Sequence, residues 1–287
     1  MRGLISNLVR KHLRISAHPY EGVPLLLVSG VGRSGTTVVR HSLGAHPDVD
    51  STGVENNIIF DVLETAQQNC TYPSRRATLR VAPPAYDRQF RLLLLNLLWP
   101  EPRTAGARPR MLLATSDLTP ARADYLLQLF PDARIVYVVR NGIEVVASRS
   151  THPQFRDASF EEHCRAWSQS REMVEWGREK AGFMLLRQET LLEADAARAA
   201  LSAALLTLGL TADARCTEIV LGRQFHPTHV VGEAQTEADD LRRRQERWKF
   251  WSDEQREAFS SMCGPAMRYF GYPMPWSDQA PDTEIHT

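Results

Sequence analysis

The chain has no excess of charge of either sign and very little lysine. Lys+Arg and Asp+Glu both total 34 among its 287 residues, and the lysines are Lys11, Lys180 and Lys249. A balanced charge gives no general attraction to nucleic acid or to an anionic membrane, so any anion site must be built locally. The bias toward arginine fits a GC-rich genome, but arginine also suits bidentate contacts to phosphate.

Long apolar runs are missing as well. No run approaches the roughly 20 residues needed to cross a bilayer, and the N-terminus lacks a signal-peptide core, so we expect a cytoplasmic protein. The longest run, 92–99, is interrupted by Asn96 and predicts a buried helix. Residues 4–14 predict an amphipathic helix, which we expect to dock on its own domain rather than on a membrane surface.

The cysteines indicate neither a metal site nor a redox motif. They are scattered along the chain, at Cys70, Cys164, Cys216 and Cys263. Because no two of them have metal-ligand or redox spacing, we expect buried, reduced thiols and no bound metal.

Alternating strands and helices predict an α/β fold with a parallel sheet. Short, continuous apolar runs occur at 25–28, 111–114, 135–139 and 183–186. Each is followed by loop signals and a helical pattern, which is typical of a parallel sheet covered by helices on both faces. We expect one domain over 1–287, with a core at about 22–274 and a short flexible C-terminal tail.

The first predicted strand leads into a glycine-rich loop and then a helix. Gly30, Gly32 and Gly35 allow the backbone to close around an anion, which the N–H groups and the positive helix end attract. The spacing matches the P-loop pattern, but Thr36 takes the position of its lysine. The loop can therefore cradle one phosphate with Arg33 as the cation, whereas a nucleoside triphosphate would lose its usual lysine contact.

A second candidate anion site follows the predicted strand at 135–139. Arg140 stands at the strand end, and Ser148 lies two turns into the next predicted helix, 143–150. Gly142 permits a tight reversal that would let both side chains converge on one oxyanion. Taken alone, these residues are better explained as a solvated arginine and an exposed serine.

Together, the two motifs resemble the cofactor-binding elements of one enzyme family. Arg-Ser-Gly-Thr-Thr at 33–37 resembles the 5′-phosphosulfate loop of sulfotransferases that use 3′-phosphoadenosine 5′-phosphosulfate (PAPS), and 138–148 resembles their 3′-phosphate-binding element. The similarity extends over about 25–272 and implies the sulfotransferase fold, a P-loop-type parallel sheet flanked by helices. The resemblance implies cofactor contacts at Arg33, Ser34, Gly35, Thr36, Thr37, Arg140, Ser148 and Arg247.

Within this family, the chain is most similar to the tyrosylprotein sulfotransferases and their bacterial relatives. The similar segments include 46–49, 53–55, 129–134, 187–191 and 247–248. Two features depart from the pattern. Ser116 stands where the family has a lysine that helps carry leaving-group charge, and the membrane anchor of Golgi members is missing, which argues against tyrosine sulfation in the secretory pathway.

The resemblance implies sulfuryl transfer from PAPS to a hydroxyl of an unidentified small-molecule, glycan, lipid or peptide acceptor. We predict that Arg33 stabilises charge on the bridging oxygen and that Glu55, at the end of the predicted second strand, is the general base. The competing bases are His41, His46, Asp50 and His152. Asp117 either orients the acceptor, replaces part of the function of the missing lysine, or caps the helix before Pro120. Trp248 either stacks on a base or fills the core.

Two other functions remain open at this point. The first is a small-molecule kinase that uses the loop with ATP and Mg²⁺, and Thr36 in place of lysine speaks against it. The second is a protein that binds PAPS or adenosine 3′,5′-bisphosphate without turnover, for which Ser116 is the best support. Glu55 favours an enzyme.

Overall fold

A parallel sheet of five strands forms the centre of the protein, in the order β2-β3-β1-β4-β5. The computed structural model describes residues 17–71, 83–101, 107–221 and 246–276. The strands are β1 (Leu25–Ser29), β2 (Val49–Ser51), β3 (Met111–Thr115), β4 (Arg134–Val139) and β5 (Phe183–Arg187). The described pairings are all parallel, with β1 between β3 and β4. The predicted α/β fold is confirmed, and the four strands predicted from continuous apolar runs lie within one residue of their observed bounds.

Helices connect successive strands of the sheet. They are α1 (Thr36–Gly44), α2 (Ile58–Thr71), α3 (Pro83–Leu98), α4 (Pro120–Leu129), α5 (Gly142–Thr151), α6 (Phe160–Ser168), α7 (Ser170–Gly177), α8 (Ala194–Thr207), α9 (Ala214–Leu221) and α10 (Asp253–Tyr269). Short 3₁₀ helices span Pro153–Phe155, Gln188–Leu192 and Arg247–Phe250. In the described ranges, no helix is both long and apolar enough to span a membrane.

The two faces of the sheet carry separate hydrophobic cores, because successive strand residues point to opposite sides. Leu25 and Leu27 of β1 belong to the core packed by α2 to α7 and α10. Leu26 and Val28 belong to the core packed by α1, α8 and α9. A strand buried on both faces must be apolar throughout, which is why β1 is the continuous run Leu-Leu-Leu-Val before Ser29.

Two predicted helical stretches are divided in the structure. The stretch 58–99 contains α2 and α3. The stretch 191–208 is a 3₁₀ helix followed by α8, because Glu193 caps α8 by accepting hydrogen bonds from the backbone N–H groups of Asp195 and Ala196.

Some of the predictions can be compared with the structure only in part. The free, buried thiols predicted at Cys164, Cys216 and Cys263 are confirmed. The side chain of Cys70, the predicted helix at 4–14 and the C-terminal tail beyond Trp276 lie outside the described residues.

Candidate functional site

The loop between β1 and α1 has a shape that only certain residues allow. Gly30 and Gly35 have φ values of 154° and 99°, and Arg33 has a φ of 82°. A Cβ at Gly30 would collide with the carbonyl oxygen of Val138 in β4, and one at Gly35 would lie 2.8 Å from Cγ of Gln188. The neighbouring segments therefore impose the loop's shape, and an arginine occupies a left-handed position inside it.

The N-terminus of α1 is open toward this loop. Gly35 precedes the helix and provides no side-chain cap, and the first turn has no acidic residue. Among the described residues, the hydroxyls of Thr36 and Thr37 have no hydrogen-bond partner, whereas Ser34 is buried and its backbone N–H donates to the carbonyl of Val31. Unpaired N–H groups at a positive helix end bind anions readily.

Three arginines from distant segments gather at the loop. The Nε of Arg33 donates to Oγ of Ser148 at 3.0 Å, and Nη1 of Arg140 donates to the carbonyl oxygen of Arg33 at 3.3 Å. Burial lowers the pKa of the Arg33 guanidinium, and the charges of Arg140 and Arg247 lower that pKa further. The two predicted phosphate motifs therefore meet. A bound anion would relieve the repulsion among the three guanidinium groups.

Arg140 is held from the side of α5. Its Nε donates to Oε2 of Glu144 at 3.1 Å, and its Nη2 also donates to this buried carboxylate. The indole N–H of Trp167 donates to the Arg140 carbonyl at 2.9 Å, and the same ring lies 2.8 Å from where a Cβ of Gly142 would stand. Gly142 has no positive φ, so glycine is required by the approach of Trp167 and not by the tight reversal that we predicted.

The start of α5 is fixed by its own capping and by the segment after β5. The side chain of Asn141 accepts from the N–H of Ile143 and so caps the helix. The N–H of Asn141 donates to Glu189 at 2.8 Å, and Glu189 also accepts from the hydroxyl of Tyr272 at 3.0 Å. Ser148 is thus carried on a helix whose first turn is firmly anchored.

The 3₁₀ helix Arg247–Phe250 brings the last of the three arginines to the loop. It packs against α5. Trp248 packs against Trp276 with ring centroids 5.3 Å apart and ring planes tilted by 46°, and it lies beneath the guanidinium of Arg256. These contacts favour the core-filling role for Trp248. Phe250 is 89% exposed.

Glu55 lies beyond the second strand and not at its end. β2 ends at Ser51, and Gly53 has a φ of 71°, so the chain leaves the sheet before Glu55. Glu55 is exposed, but the next residue is fixed, because the N–H of Asn56 donates to the carbonyl of Thr115 at 2.8 Å. The predicted position was therefore wrong by four residues, since β2 is only three residues long.

Asp117 is the perturbed carboxyl group beside Glu55. Burial, and then the charge of Glu55, raise its pKa to about 6, while Arg149 and Arg122 oppose this shift. The N-cap of α4 is Thr119, so the predicted capping role of Asp117 is wrong. Asp117 and Glu55 form a pair of like charges at the carboxyl end of the sheet.

Three of the competing bases have structural partners. The hydroxyl of Tyr20 donates to the buried Asp50 at 2.6 Å, and Nε2 of His46 contacts the carbonyl of Thr211 at 3.1 Å. His41 contacts the adjacent Arg40 side chain at 3.2 Å. These contacts explain the three residues through packing or capping.

His152 is the competing base whose pKa is affected by the charge of Arg33 in the loop. Burial and the charge of Arg33 lower its pKa. Its Nδ1 also accepts from the N–H of Gln154 at the start of a 3₁₀ helix. His152 therefore has a structural role, but it remains a neighbour of the phosphate loop.

Arg149 was not among the site residues predicted from the sequence. Its Nε is buried and, within the described chain, has no hydrogen-bond partner. Its Nη1 lies 3.2 Å from where a Cβ of Gly32 would stand, and its guanidinium carbon lies 4.1 Å above the ring of Phe155. The signal was its position next to Ser148, but neighbouring helix residues point about 100° apart, so the sequence does not show that both reach the loop.

No metal centre can be assigned to the described ranges. Within them, no three His, Cys, Asp or Glu side chains come together in a group that could hold a metal ion.

The chain is similar in sequence to known sulfotransferases. Residues 24–199 match the profile of the family described as "Sulfotransferase family". A protein-tyrosine sulfotransferase of Drosophila melanogaster is 27% identical over 157 residues, covering 53% of this chain and 31% of that protein. Protein-tyrosine sulfotransferase 1 of Rattus norvegicus is 31% identical over 145 residues, covering 47% of this chain and 37% of that protein. The chain thus spans about a third of the length of these relatives.

Two solved structures are similar in fold. The sulfotransferase domain from the Synechococcus PCC 7002 olefin synthase has a TM-score of 0.52 and 16% identity, covering 88% of this chain and 95% of that chain. The sulfotransferase domain from the curacin biosynthetic pathway has a TM-score of 0.51 and 13% identity, covering 88% and 98%. At such low identity, the likeness shows the fold alone.

Proposed function

Because the chain belongs to the sulfotransferase family, we propose that it transfers a sulfuryl group from PAPS to a hydroxyl group of an acceptor molecule. The observation that supports this most is the meeting of Arg33, Arg140 and Arg247 at the open N-terminus of α1. A donor with phosphate groups at two separate positions would use such a divided cluster of cations, whereas a single phosphate would not need all three.

The donor fits the two halves of this cluster. The 5′-phosphosulfate would lie in the loop, against Arg33, the backbone N–H groups at Gly35 to Thr37, and the hydroxyls of Thr36 and Thr37, which have no partner among the described residues. The 3′-phosphate would lie against Arg140, Ser148 and Arg247. Arg140 has five N–H bonds and uses three of them on Glu144 and the Arg33 carbonyl, so two N–H bonds remain for a phosphate oxygen.

The transfer itself needs a base on the acceptor side and a cation on the donor side. The acceptor hydroxyl attacks sulfur and gives its proton to Glu55, while the S–O bond to the 5′-phosphate breaks. The electron pair of that bond stays on the phosphate oxygen, where Arg33 stabilises it, and adenosine 3′,5′-bisphosphate leaves. Glu55 is exposed and so can receive an acceptor from solvent, which supports this assignment.

The acceptor is a hydroxyl compound whose identity we leave open. The two relatives described above are named for protein tyrosine, so a tyrosine-containing peptide and a simple phenol are suitable first probes. Val54 and Ile58, on either side of Glu55, are 59% and 41% exposed. Apolar surface beside the base would suit the ring of a phenol.

Binding of adenosine 3′,5′-bisphosphate tests the proposal without an acceptor. We expect calorimetry to show at least about tenfold tighter binding than for AMP, because charge-assisted contacts to the 3′-phosphate are each worth about 1.5–3 kcal/mol. EDTA should leave this difference unchanged. Equal affinities would contradict the second phosphate site. Tighter binding of ATP with Mg²⁺ would instead favour a kinase.

Transfer of ³⁵S from labelled PAPS separates an enzyme from a binding protein. Turnover with any of a tyrosine peptide, a phenol, a glycan or an alcohol would establish catalysis. Tight bisphosphate binding without turnover on any of them would favour the second candidate function, a nucleotide-binding protein, which the neutral and buried Ser116 supports.

A further inference from the structure

Arg149 is a cation at the phosphate loop that the proposed mechanism does not yet use. Its guanidinium lies against Gly32, within the loop itself, and packs over the ring of Phe155. A Cβ at Gly32 would come within 2.8 Å of Phe155 and 3.2 Å of Arg149. The absence of a side chain at Gly32 is therefore what lets Arg149 reach the loop.

Arg149 also lies in the field of the carboxylates on the acceptor side. Its charge lowers the pKa of Asp117, whose charge in turn opposes the loss of a proton from Arg149. The charge of Glu55 raises the pKa of Asp117 and opposes the lowering of the Arg40 pKa by burial. Arg149 thus stands between the loop, where the donor phosphate would lie, and the carboxylates, where the acceptor would lie.

A purely structural ion pair does not explain this side chain. No carboxylate in the described part of the chain lies within salt-bridge distance of Arg149, and its buried Nε has no partner there. Leaving a half-buried guanidinium without a direct partner is unfavourable unless an anion completes its hydrogen bonds. The neighbouring Arg156, by contrast, is exposed at the surface.

We propose that Arg149 contacts the sulfuryl end of the donor and so distinguishes loaded PAPS from spent adenosine 3′,5′-bisphosphate. This inference rests on the proposed function. Ser148 and Arg149 are adjacent on α5 and contact different parts of the loop. Ser148 accepts a hydrogen bond from Arg33, and Arg149 lies against Gly32. A second guanidinium at the sulfuryl oxygens would supply positive charge that the neutral Ser116 does not.

Calorimetry with PAPS and with adenosine 3′,5′-bisphosphate tests this without an acceptor. The variants are Arg149→Met and Arg149→Gln, which remove the charge, and Arg149→Lys, which keeps it. In the two neutral variants, we expect affinity for PAPS to fall about 10- to 100-fold, and affinity for the bisphosphate to change by less than about threefold. Arg149→Lys should recover part of the loss, and the control Arg156→Met should match wild type.

The outcomes separate the inference from the function on which it rests. If wild type binds neither nucleotide, the proposed function fails and this inference fails with it. If wild type binds both, but Arg149→Met and Arg149→Gln bind both nucleotides with wild-type affinity, the role proposed for Arg149 is wrong while the function stands. An equal loss for both nucleotides would assign Arg149 to the shape of the loop instead. Circular dichroism identifies any variant that is unfolded. If Arg149→Met is unstable, Arg149→Gln is the more polar of the two neutral replacements and serves in its place.

Discussion

The phosphate end and the carboxylate end of the site are held in place by different parts of the molecule. At the phosphate end, backbone and buried contacts from β4, α5 and the segment after β5 surround the loop, and Arg33 is bonded to Ser148. At the carboxylate end, Glu55 is exposed on a segment that has already left the sheet, and the N–H groups of Thr52 and Asn56 tie that segment to β3. The phosphate end is therefore built from buried contacts between strands and helices, whereas the carboxylate end lies on an exposed segment outside the sheet.

This difference separates what the fold requires from what an acceptor requires. Replacing a residue at the phosphate end disturbs contacts that also hold the sheet and helices together. Residues around Glu55 can change with little cost to packing, so this end can adapt to different acceptors. Substitutions that affect one end and not the other are therefore the most direct tests of the comparison.

The largest expected effect is at the carboxylate end. Glu55→Gln should lower the transfer rate about a hundredfold or more, because the variant cannot take the acceptor proton. Affinity for adenosine 3′,5′-bisphosphate should stay at the wild-type value, since the side chain faces the acceptor. The measurement is ³⁵S transfer with any acceptor that wild type uses, and Asp61→Asn, another exposed carboxylate, is the control. A full transfer rate would move the base to His152 or Asp117.

An intermediate effect is expected at the phosphate end. Loss of the Arg140 guanidinium should weaken bisphosphate binding about 10- to 100-fold and leave AMP binding unchanged, because AMP has no 3′-phosphate. Arg140→Ala alone would leave Glu144 buried without its partner, which is strongly destabilising. The double variant Arg140→Met/Glu144→Gln avoids this, with Glu144→Gln as its control. If calorimetry shows equal losses for both nucleotides, Arg140 acts through its bond to the Arg33 carbonyl.

The smallest effect concerns stability and Asp117, the buried carboxyl group beside Glu55. In the folded protein, the pKa of Asp117 is about 6, above the ordinary value of 3.8. Between pH 3.8 and about pH 6, the folded protein therefore binds more protons than the unfolded chain. Stability is therefore lost as pH rises from about 4 to about 6. Asp117→Asn should remove this loss and stabilise the protein by on the order of 1–3 kcal/mol above pH 7.

Thermal unfolding across a pH series checks this expectation. The difference in Tm between Asp117→Asn and wild type should be near zero at pH 4 and should grow until about pH 6.5. A difference that does not change with pH would mean that the Asp117 carboxyl group titrates normally in the folded protein.

The sheet and the phosphate loop could be predicted because their signals are local. A strand buried on both faces must be a continuous apolar run, and a loop that closes around an anion needs glycine at fixed spacing. β1 and the residues from Gly30 to Gly35 satisfy both conditions within a dozen positions. The pairing of Arg33 with Ser148 agrees with the predicted order of the two motifs, while their role as phosphate ligands stays a prediction.

The acceptor side was harder to predict because its signals are spread over the chain. The raised pKa of Asp117 depends on burial by several elements and on Glu55, which follows a different strand. The position of Arg149 depends on the missing side chain of Gly32 and on the ring of Phe155. No periodic pattern connects such residues, since only the sheet order brings them together.

The sheet order also determines when during folding the site can exist. β1 pairs with β3 and β4, whose aligned residues follow it by about 90 and 110 positions, and closing loops of that length is slow. Arg33 follows β1 and Ser148 follows β4, so these two side chains can meet only after β1 pairs with β4. A nucleotide would therefore bind the finished protein and no earlier folding species, and by mass action it would protect the native state from unfolding and proteolysis.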